Sequence, residues 1–218
     1  YSKSGVDIHL NAPVSSVEKI NSKLITHSGE NGGNKYESDI VVHGAGRIPN
    51  IEGLDLKTAG VDVDKKGIII NQYLQSVSNP AVYVAGDSNG RGVPLTPVGT
   101  MEGEIAARNM LEGNNAKPDY TAVASVMFGF PPLASVGILE HEAEKRGLNY
   151  KVSCQDTSSW YTSKRIGLEH SAAKIIIDND SGMILGAHLL GYNADEVINL
   201  LAMAIKFKVK AEELGDLL

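Results

Sequence analysis

The sequence predicts a mixed fold, of the α/β kind in its first part and of the α+β kind in its second. In the first part, short apolar strands end on glycines, and the last of them leads into a helix. In the second part, runs of strands stand beside grouped helices. Residues 112–118 separate the two parts, because a helix-stopping glycine, polar residues and a proline indicate a linker.

Apolar or alternating runs predict the strands of the first part, at residues 6–10, 14–25 (two short strands), 39–46, 68–70 and 81–85. The run at 39–46 ends in glycines and is followed by Pro49, which cannot continue regular pairing, so a domain boundary is expected near residue 50. Thr96 and Pro97 provide an N-cap and a first-turn proline, which predict a helix over residues 98–111.

The second part begins near Asp119, and its strands are predicted at residues 122–128, 133–138, 149–153, 172–177 and 183–190. A first helix is predicted over residues 140–146. A second helix opens at Asn193, with Glu196 three residues later as in a capping box. Five apolar side chains of this second helix fall on one face: Val197, Leu200, Leu201, Ala204 and Ile205.

The composition excludes several classes of function. Among 218 residues there are 20 Lys and Arg against 26 Asp and Glu, a formal net charge of −6. Without grouped cations for phosphates, a nucleic-acid partner is not expected. No apolar run reaches the roughly 18 to 20 residues that cross a bilayer, so we expect no membrane partner. The single cysteine, Cys154, excludes a disulfide within the chain and favours a cytoplasmic location. The histidines lack the spacing of metal ligands, so no metal site is expected.

Two groups of residues could bind a ligand, and the first is the glycine pair at the end of the 39–46 run. Gly44-Ala45-Gly46 lacks the dinucleotide fingerprint, because Pro49 occupies the position of the third glycine. What remains is a strand end trimmed to small residues, which lets a ligand approach closely, with Arg47 beside it as a fixed cation. A plain strand-to-loop turn would have the same appearance.

The second group combines Gly86-Asp87 with the helix start Leu95-Thr96-Pro97. Asp87 directly follows an apolar strand, so its carboxylate is expected at the carboxyl end of a sheet, where it could accept hydrogen bonds from sugar or polyol hydroxyls. The helix start presents backbone N–H groups and the positive end of the helix dipole, which favour an electron-rich group. A Gly-Asp pair also forms ordinary turns, and most helix starts face water, but their occurrence in this order favours a ligand site.

Five segments occur in a characteristic order, namely VHGAGRIPN at 42–50, VYVAGD at 82–87, LTPV at 95–98, FPPLASVG at 130–137 and GAHLLG at 186–191. Together they resemble the C-terminal half of the pyridine nucleotide-disulfide oxidoreductases, the flavoprotein family of glutathione reductase, dihydrolipoamide dehydrogenase and mercuric reductase. The resemblance implies that residues 1–50 end an NAD(P)H-binding domain and that residues 51–118 close a FAD-binding domain. Residues 119–218 would form an α+β interface domain, truncated at its C-terminus, that makes a homodimer.

The resemblance also implies FAD and NAD(P)H as cofactors and a small-molecule or protein disulfide as substrate. Gly46 would lie against the nicotinamide nucleotide, Asp87 would bind the ribityl chain of the flavin, and the backbone at Thr96 would meet the pyrimidine edge of the isoalloxazine. The complete set of cofactor-binding residues that it implies is Gly46, Arg47, Gly86, Asp87, Leu95, Thr96 and Pro97.

We therefore predict a fragment of a FAD-dependent NAD(P)H:disulfide oxidoreductase, in which hydride passes to FAD and electrons then pass to a cysteine pair outside this chain. By the resemblance, that cysteine pair and the glycine-rich nucleotide loops belong to the N-terminal half, and the acid–base histidine lies beyond Leu218. No catalytic residue is thus predicted in this chain, which we expect to be inactive alone. The alternative is a non-catalytic dimerisation or binding module derived from the same fold.

Overall fold

A computed structural model describes residues 1–217 of the chain. The chain divides into two compact units, Tyr1–Ile48 and Pro49–Leu218. Both strands and helices are present, and the second unit ends in an antiparallel sheet with packed helices, so the predicted mixed fold class is confirmed. No helix within residues 1–217 combines the length and the apolar character that a membrane span requires.

The first unit is built on a three-stranded antiparallel sheet with its strands in chain order: β1 (Val14–Ile20), β2 (Lys23–Ser28) and β3 (Asn34–Ser38). A two-residue turn joins β1 to β2, and Asn21 supplies the left-handed backbone conformation that such a turn requires, with a φ of 56°. The two short strands predicted within residues 14–25 correspond to β1 and the start of β2.

Two strands predicted for the first unit are wrong. Residues 6–10 and 39–46 are irregular and exposed, and Val42 is 86% exposed. An apolar run becomes a strand only when a neighbouring strand takes up its backbone hydrogen bonds, and β1–β3 pair with neither segment.

The second unit begins with an irregular layer. A short antiparallel pair, β4 (Val63–Asp64) and β5 (Gly67–Ile68), is its only regular sheet among the described residues. The strands predicted at 68–70 and 81–85 are wrong as regular strands, because beyond β5 they form only isolated bridges, Ile70 with Ser76 and Tyr83 with Gln75. Their apolar side chains still contribute to a core whose buried members are Val61, Ile68, Ile70, Leu74, Val84 and Ala106.

Helix α1 (Thr96–Glu112) confirms the predicted helix, and it begins two residues earlier than expected. Thr96 is wrong as the N-cap: Leu95 occupies that position, and no side chain caps the first turn. The helix ends before Gly113, which has a φ of 85°. The linker that follows is fastened to the helix, because the buried Asn109 side chain donates to the carbonyl of Ala116 over 2.8 Å and accepts its N–H over 2.9 Å.

The rest of the second unit is built on a five-stranded antiparallel sheet. The five predicted strands are all present with shifted ends, as β6 (Ser125–Met127), β7 (Leu133–Gly137), β8 (Tyr150–Asp156), β9 (Ala172–Asp178) and β10 (Ile184–Leu190). They lie in the order β6-β7-β10-β9-β8. Four helices accompany the sheet: α2 (Glu140–Lys145), α3 (Tyr161–Arg165), α4 (Ala194–Lys206) and α5 (Ala211–Gly215). The sequence predicted α2 and α4 but neither of the short helices α3 and α5.

Helix α4 packs on one face of this sheet, where Ile198 and Ala187 are completely buried. On the other face, Glu140 of α2 forms an ion pair with Lys174 of β9. The Asn193 capping box is not formed, because Asn193 adopts a left-handed conformation with a φ of 58° and its side chain makes no cap hydrogen bond.

The single apolar face predicted for α4 is also wrong, because its members divide between two sides of the helix. Leu201, Ala204 and Ile205 are buried against the sheet. Val197 is 43% exposed and Leu200 is 61% exposed. They point away from the core together with Met203 and with Phe207, which directly follows the helix. We call these four side chains the outer stripe of α4: Val197, Leu200, Met203 and Phe207.

Candidate functional site

The predicted Gly86-Asp87 pair lies in a short 3-10 turn, Gly86–Ser88, that follows the irregular segment 81–85. Gly86 has a φ of 72°, a left-handed conformation that glycine adopts without steric cost. Asp87 is exposed, so its carboxylate is accessible to a ligand from solvent.

This turn lies directly on the first turns of α1. A Cβ built on Gly99 would be 3.4 Å from the Cα of Gly86, so the two backbones meet where neither residue has a side chain. The structure therefore brings five of the seven predicted residues into one region of the second unit: Gly86, Asp87, Leu95, Thr96 and Pro97.

The start of α1 presents backbone donors at this place. Hydrogen bonding within the helix begins with the N–H of Gly99, which donates to the carbonyl of Leu95 over 3.0 Å. The N–H groups of Thr96 and Val98 precede that bond, and Pro97 has no N–H. With no side-chain cap, this end of the helix carries the partial positive charge that stabilises an electron-rich group.

A buried carboxylate, which the sequence analysis missed, fastens the turn to the helix. Glu102 of α1 is only 1% exposed. Its Oε2 accepts the N–H of Gly86 over 2.6 Å and the side-chain amide of Asn89 over 2.8 Å. Its Oε1 accepts the hydroxyl of Tyr120 over 2.5 Å.

A sequence signal for Glu102 did exist. The buried residues of α1 are Val98, Glu102, Ala106 and Asn109, which follow helical spacing. A charged residue at an interior position of this pattern needs partners that satisfy it, since a buried charge is costly unless it is hydrogen-bonded. Tyr120 is one such partner, and burial together with the neighbouring Glu102 raises its pKa well above 10, so its hydroxyl keeps the proton that it donates.

Gly46 and Arg47 belong to the first unit, in the irregular segment after β3, and both are exposed. Gly46 has a φ of 89°, and a Cβ built on it would meet no atom within 4 Å. The left-handed backbone, rather than crowding, is therefore what requires glycine here.

The five grouped residues offer an exposed carboxylate beside a set of backbone donors. A ligand that carries hydroxyl groups next to an electron-rich edge fits this arrangement, and a flavin nucleotide has both. Cys154, the only cysteine of the chain, is exposed on β8 and has no disulfide partner. No group of three or more His, Cys, Asp or Glu residues within residues 1–217 is placed to hold a metal ion.

The chain matches a known protein family over most of its length. The family described as pyridine nucleotide-disulphide oxidoreductase matches residues 1–103, and the dimerisation domain of the same family matches residues 123–218. Glutathione reductase of Burkholderia cepacia is 32% identical over 208 residues, which are 94% of this chain and 45% of that protein.

A second relative is short. The chain is 42% identical over 166 residues to an uncharacterised 19.7 kDa protein in the mercuric resistance operon of Staphylococcus aureus, and these residues are 76% of this chain and 92% of that protein. Among solved structures, the Cu(II) complex of RclA, a HOCl-induced flavoprotein disulfide reductase from Escherichia coli, superposes with a TM-score of 0.85 at 25% identity. The match covers all of this chain and 48% of that one.

The chain thus spans less than half the length of the reductases that it matches. Both parts of the chain match the corresponding parts of one family, in the order in which the family has them. This chain belongs to the pyridine nucleotide-disulphide oxidoreductase family.

Proposed function

We propose that this chain is the C-terminal portion of a FAD-dependent NAD(P)H:disulfide oxidoreductase. In this proposal, residues 1–50 end the NAD(P)H-binding domain, residues 51–118 complete the FAD-binding domain, and residues 119–218 form the dimerisation domain. The observation that carries it is the contact between the Gly86–Ser88 turn and the uncapped start of α1. A single exposed cysteine without a disulfide partner favours a reducing, cytoplasmic location.

FAD held at this site would supply two-electron transfer between NAD(P)H and a disulfide. Asp87 accepts hydrogen bonds from the ribityl hydroxyls and so fixes the orientation of the cofactor. The backbone N–H of Thr96 would donate to the pyrimidine edge, and the positive end of the α1 dipole would stabilise the negative charge of the reduced flavin there. In the first unit, the left-handed Gly46 leaves room for the nicotinamide nucleotide, with the Arg47 guanidinium beside it.

Titration of the isotope-labelled chain with FAD, followed by NMR, tests the flavin site. The amide signals of Asp87, Thr96 and Val98 should shift together as FAD is added. Asp87→Asn should weaken the affinity about tenfold, because a hydrogen bond to a charged acceptor contributes roughly 1.5 to 3 kcal/mol. Glu104→Gln removes a carboxylate from an exposed position of α1 and should leave the affinity unchanged. Shifts confined to other parts of the chain, or none at millimolar FAD, would contradict the assignment.

We also propose that the intact protein is a homodimer and that the outer stripe of α4 takes part in the interface. These four side chains are large, apolar and 43% to 71% exposed in the single chain. The centres of obligate interfaces are apolar, so a partner chain that covered the stripe would bury such side chains. Leu200 is 61% exposed, the largest exposed fraction among the stripe residues within α4, and is therefore the test position.

Analytical ultracentrifugation of the chain and two variants tests the dimer. Leu200→Glu places a charge in the stripe and should shift the chain to monomer. Asn199→Glu adds the same side chain at the neighbouring exposed position outside the stripe and should leave the dimer intact. A monomeric wild-type chain at micromolar concentration, or equal behaviour of the two variants, would refute this part of the proposal.

A second candidate function is a free-standing dimerisation or binding module without enzyme activity. It is favoured by the short Staphylococcus aureus relative, which at 19.7 kDa is smaller than this 23.2 kDa chain and is matched over 92% of its length. The coding sequence upstream of Tyr1 distinguishes the two. A glycine-rich nucleotide loop and a close cysteine pair in the same reading frame identify the reductase, and a start codon directly before Tyr1 identifies the module.

A further inference from the structure

Glu102 is a buried carboxylate whose three hydrogen-bond donors are all neutral groups. These donors are the backbone amide of Gly86, the side-chain amide of Asn89 and the hydroxyl of Tyr120. Burying a charge with neutral partners is costly, and an apolar residue at an interior helix position is usually at least as stabilising. The arrangement therefore points to a task other than holding the core together.

The two hydrogen bonds on Oε2 define that task. Gly86 begins the 3-10 turn that carries Asp87, and Asn89 directly follows it. One carboxylate oxygen thus holds both ends of the turn, with nitrogen-to-oxygen distances of 2.6 and 2.8 Å. Because Glu102 projects from α1, these bonds fix the position of Asp87 relative to the start of that helix, where the backbone donors lie.

The other carboxylate oxygen, Oε1, connects the turn to the dimerisation domain proposed for residues 119–218. Tyr120 lies just after the linker that follows α1, and its hydroxyl donates to Oε1. The loop between the turn and α1 closes over this bond: a Cβ built on Gly92 would lie 2.6 Å from Oε1 and 3.2 Å from Cε1 of Tyr120. The exclusion of water strengthens hydrogen bonds of this kind, since the local dielectric is low.

We propose that Glu102 is a positioning residue of the flavin site. It fixes the position of Asp87 through hydrogen bonds to Gly86 and Asn89, and it connects the Gly86–Ser88 turn to the dimerisation domain through Tyr120. This inference rests on the proposed role of Asp87 in flavin binding. Glu102 itself does not contact the cofactor in this proposal, and it acts only through the turn that it holds.

The first measurement needs no flavin. In the isotope-labelled 218-residue chain, the amide proton of Gly86 should resonate far downfield and exchange slowly with solvent, as expected for a short bond to a buried carboxylate. Glu102→Gln keeps the shape but replaces the charged acceptor, so the Gly86 signal should move upfield and its exchange should accelerate about tenfold or more. Glu104→Gln on the same helix should leave the Gly86 signal unchanged.

The second measurement is the titration with FAD followed by NMR, applied to Glu102→Gln and Tyr120→Phe. We expect Glu102→Gln to lower the affinity for FAD about as much as Asp87→Asn does, and Tyr120→Phe to lower it less while changing the Gly86 signal. A double variant of Glu102→Gln and Asp87→Asn should bind FAD no more weakly than Asp87→Asn alone. The reason is that Glu102 acts on FAD binding only through the Asp87 carboxylate, which the double variant no longer has.

The outcomes separate the two proposals. If wild-type chain does not bind FAD but Gly86 responds to Glu102→Gln, the flavin assignment fails and Glu102 is shown to hold the turn without serving that cofactor. If FAD shifts Asp87 and Thr96 but neither the Gly86 signal nor the affinity changes in Glu102→Gln, the positioning role is overturned. Should Glu102→Gln not fold, an unchanged Gly86 signal and FAD affinity in Tyr120→Phe would overturn it.

Discussion

Replacing Ile198 by alanine tests whether α4 is held by its packing on the sheet. Ile198 is completely buried, and the change removes three carbon atoms from the centre of the core. The lost transfer free energy is about 2.5 kcal/mol, and the cavity raises the total to about 3 to 4 kcal/mol. For a unit of this size we expect the midpoint of thermal unfolding to fall by roughly 6 to 14 °C.

The neighbouring residue provides a matched control. Val197 belongs to the outer stripe of α4 and is 43% exposed. Val197→Ala removes two carbon atoms from a partly solvated position and should cost less than about 1 kcal/mol. Circular dichroism at several protein concentrations measures both variants, because any loss at a dimer interface would depend on concentration and a loss in the core would not. Equal losses for the two variants, or no loss for Ile198→Ala, would refute the packing described for α4.

Three further predictions concern pH and activity. Hydrogen bonds from Lys206 and Thr121 lower the pKa of Asp119 in the folded chain. This carboxylate therefore contributes stability that is present above its ordinary pKa of 3.8 and is lost as the pH falls through its lower folded pKa. Asp119→Asn should flatten the acid side of the profile of unfolding free energy against pH, and an unaltered profile would contradict this. Burial lowers the pKa of His188 below 6.5 in the folded chain, so His188 is protonated at a higher pH in the unfolded chain than in the folded one. The free energy of unfolding should therefore decline as the pH drops below about 6.5. His188→Gln should remove that decline, measured by urea titration at about pH 7.5 and about pH 5.5. The purified chain should be colourless, because the glycine-rich FAD loop of the family is not among its residues. It should show no turnover with NAD(P)H and a disulfide, because it has one cysteine and no cysteine pair. A stoichiometric visible flavin band would refute the proposed domain assignment.

Elements with local signals were predicted well from the sequence. The hairpin of β9 and β10 and the helices α1, α2 and α4 each combine a hydrophobic period with start or stop residues that act within a few positions. Their ends shifted by a few residues, since capping depends on backbone conformation: Asn193 has a capping side chain but a left-handed backbone.

The wrong strand predictions share one cause. Residues 39–46 and 81–85 have the composition of buried strands, but a strand also requires a partner, and no strand of the chain pairs along either segment in the part that the structure describes. The outer stripe of α4 was misassigned for a related reason, because helical spacing gives the relative angles of apolar residues but does not say which of them meets the sheet.

The sequence by itself determined the mixed fold class, the order of the main elements and, through five segments, the family to which the chain belongs. Only the tertiary structure decided how Asp87 and the start of α1 are held together, through Glu102 with Asn89 and Tyr120. The physical reason is distance along the chain: local propensities act over a few residues, whereas Glu102 contacts groups 13 to 18 positions away.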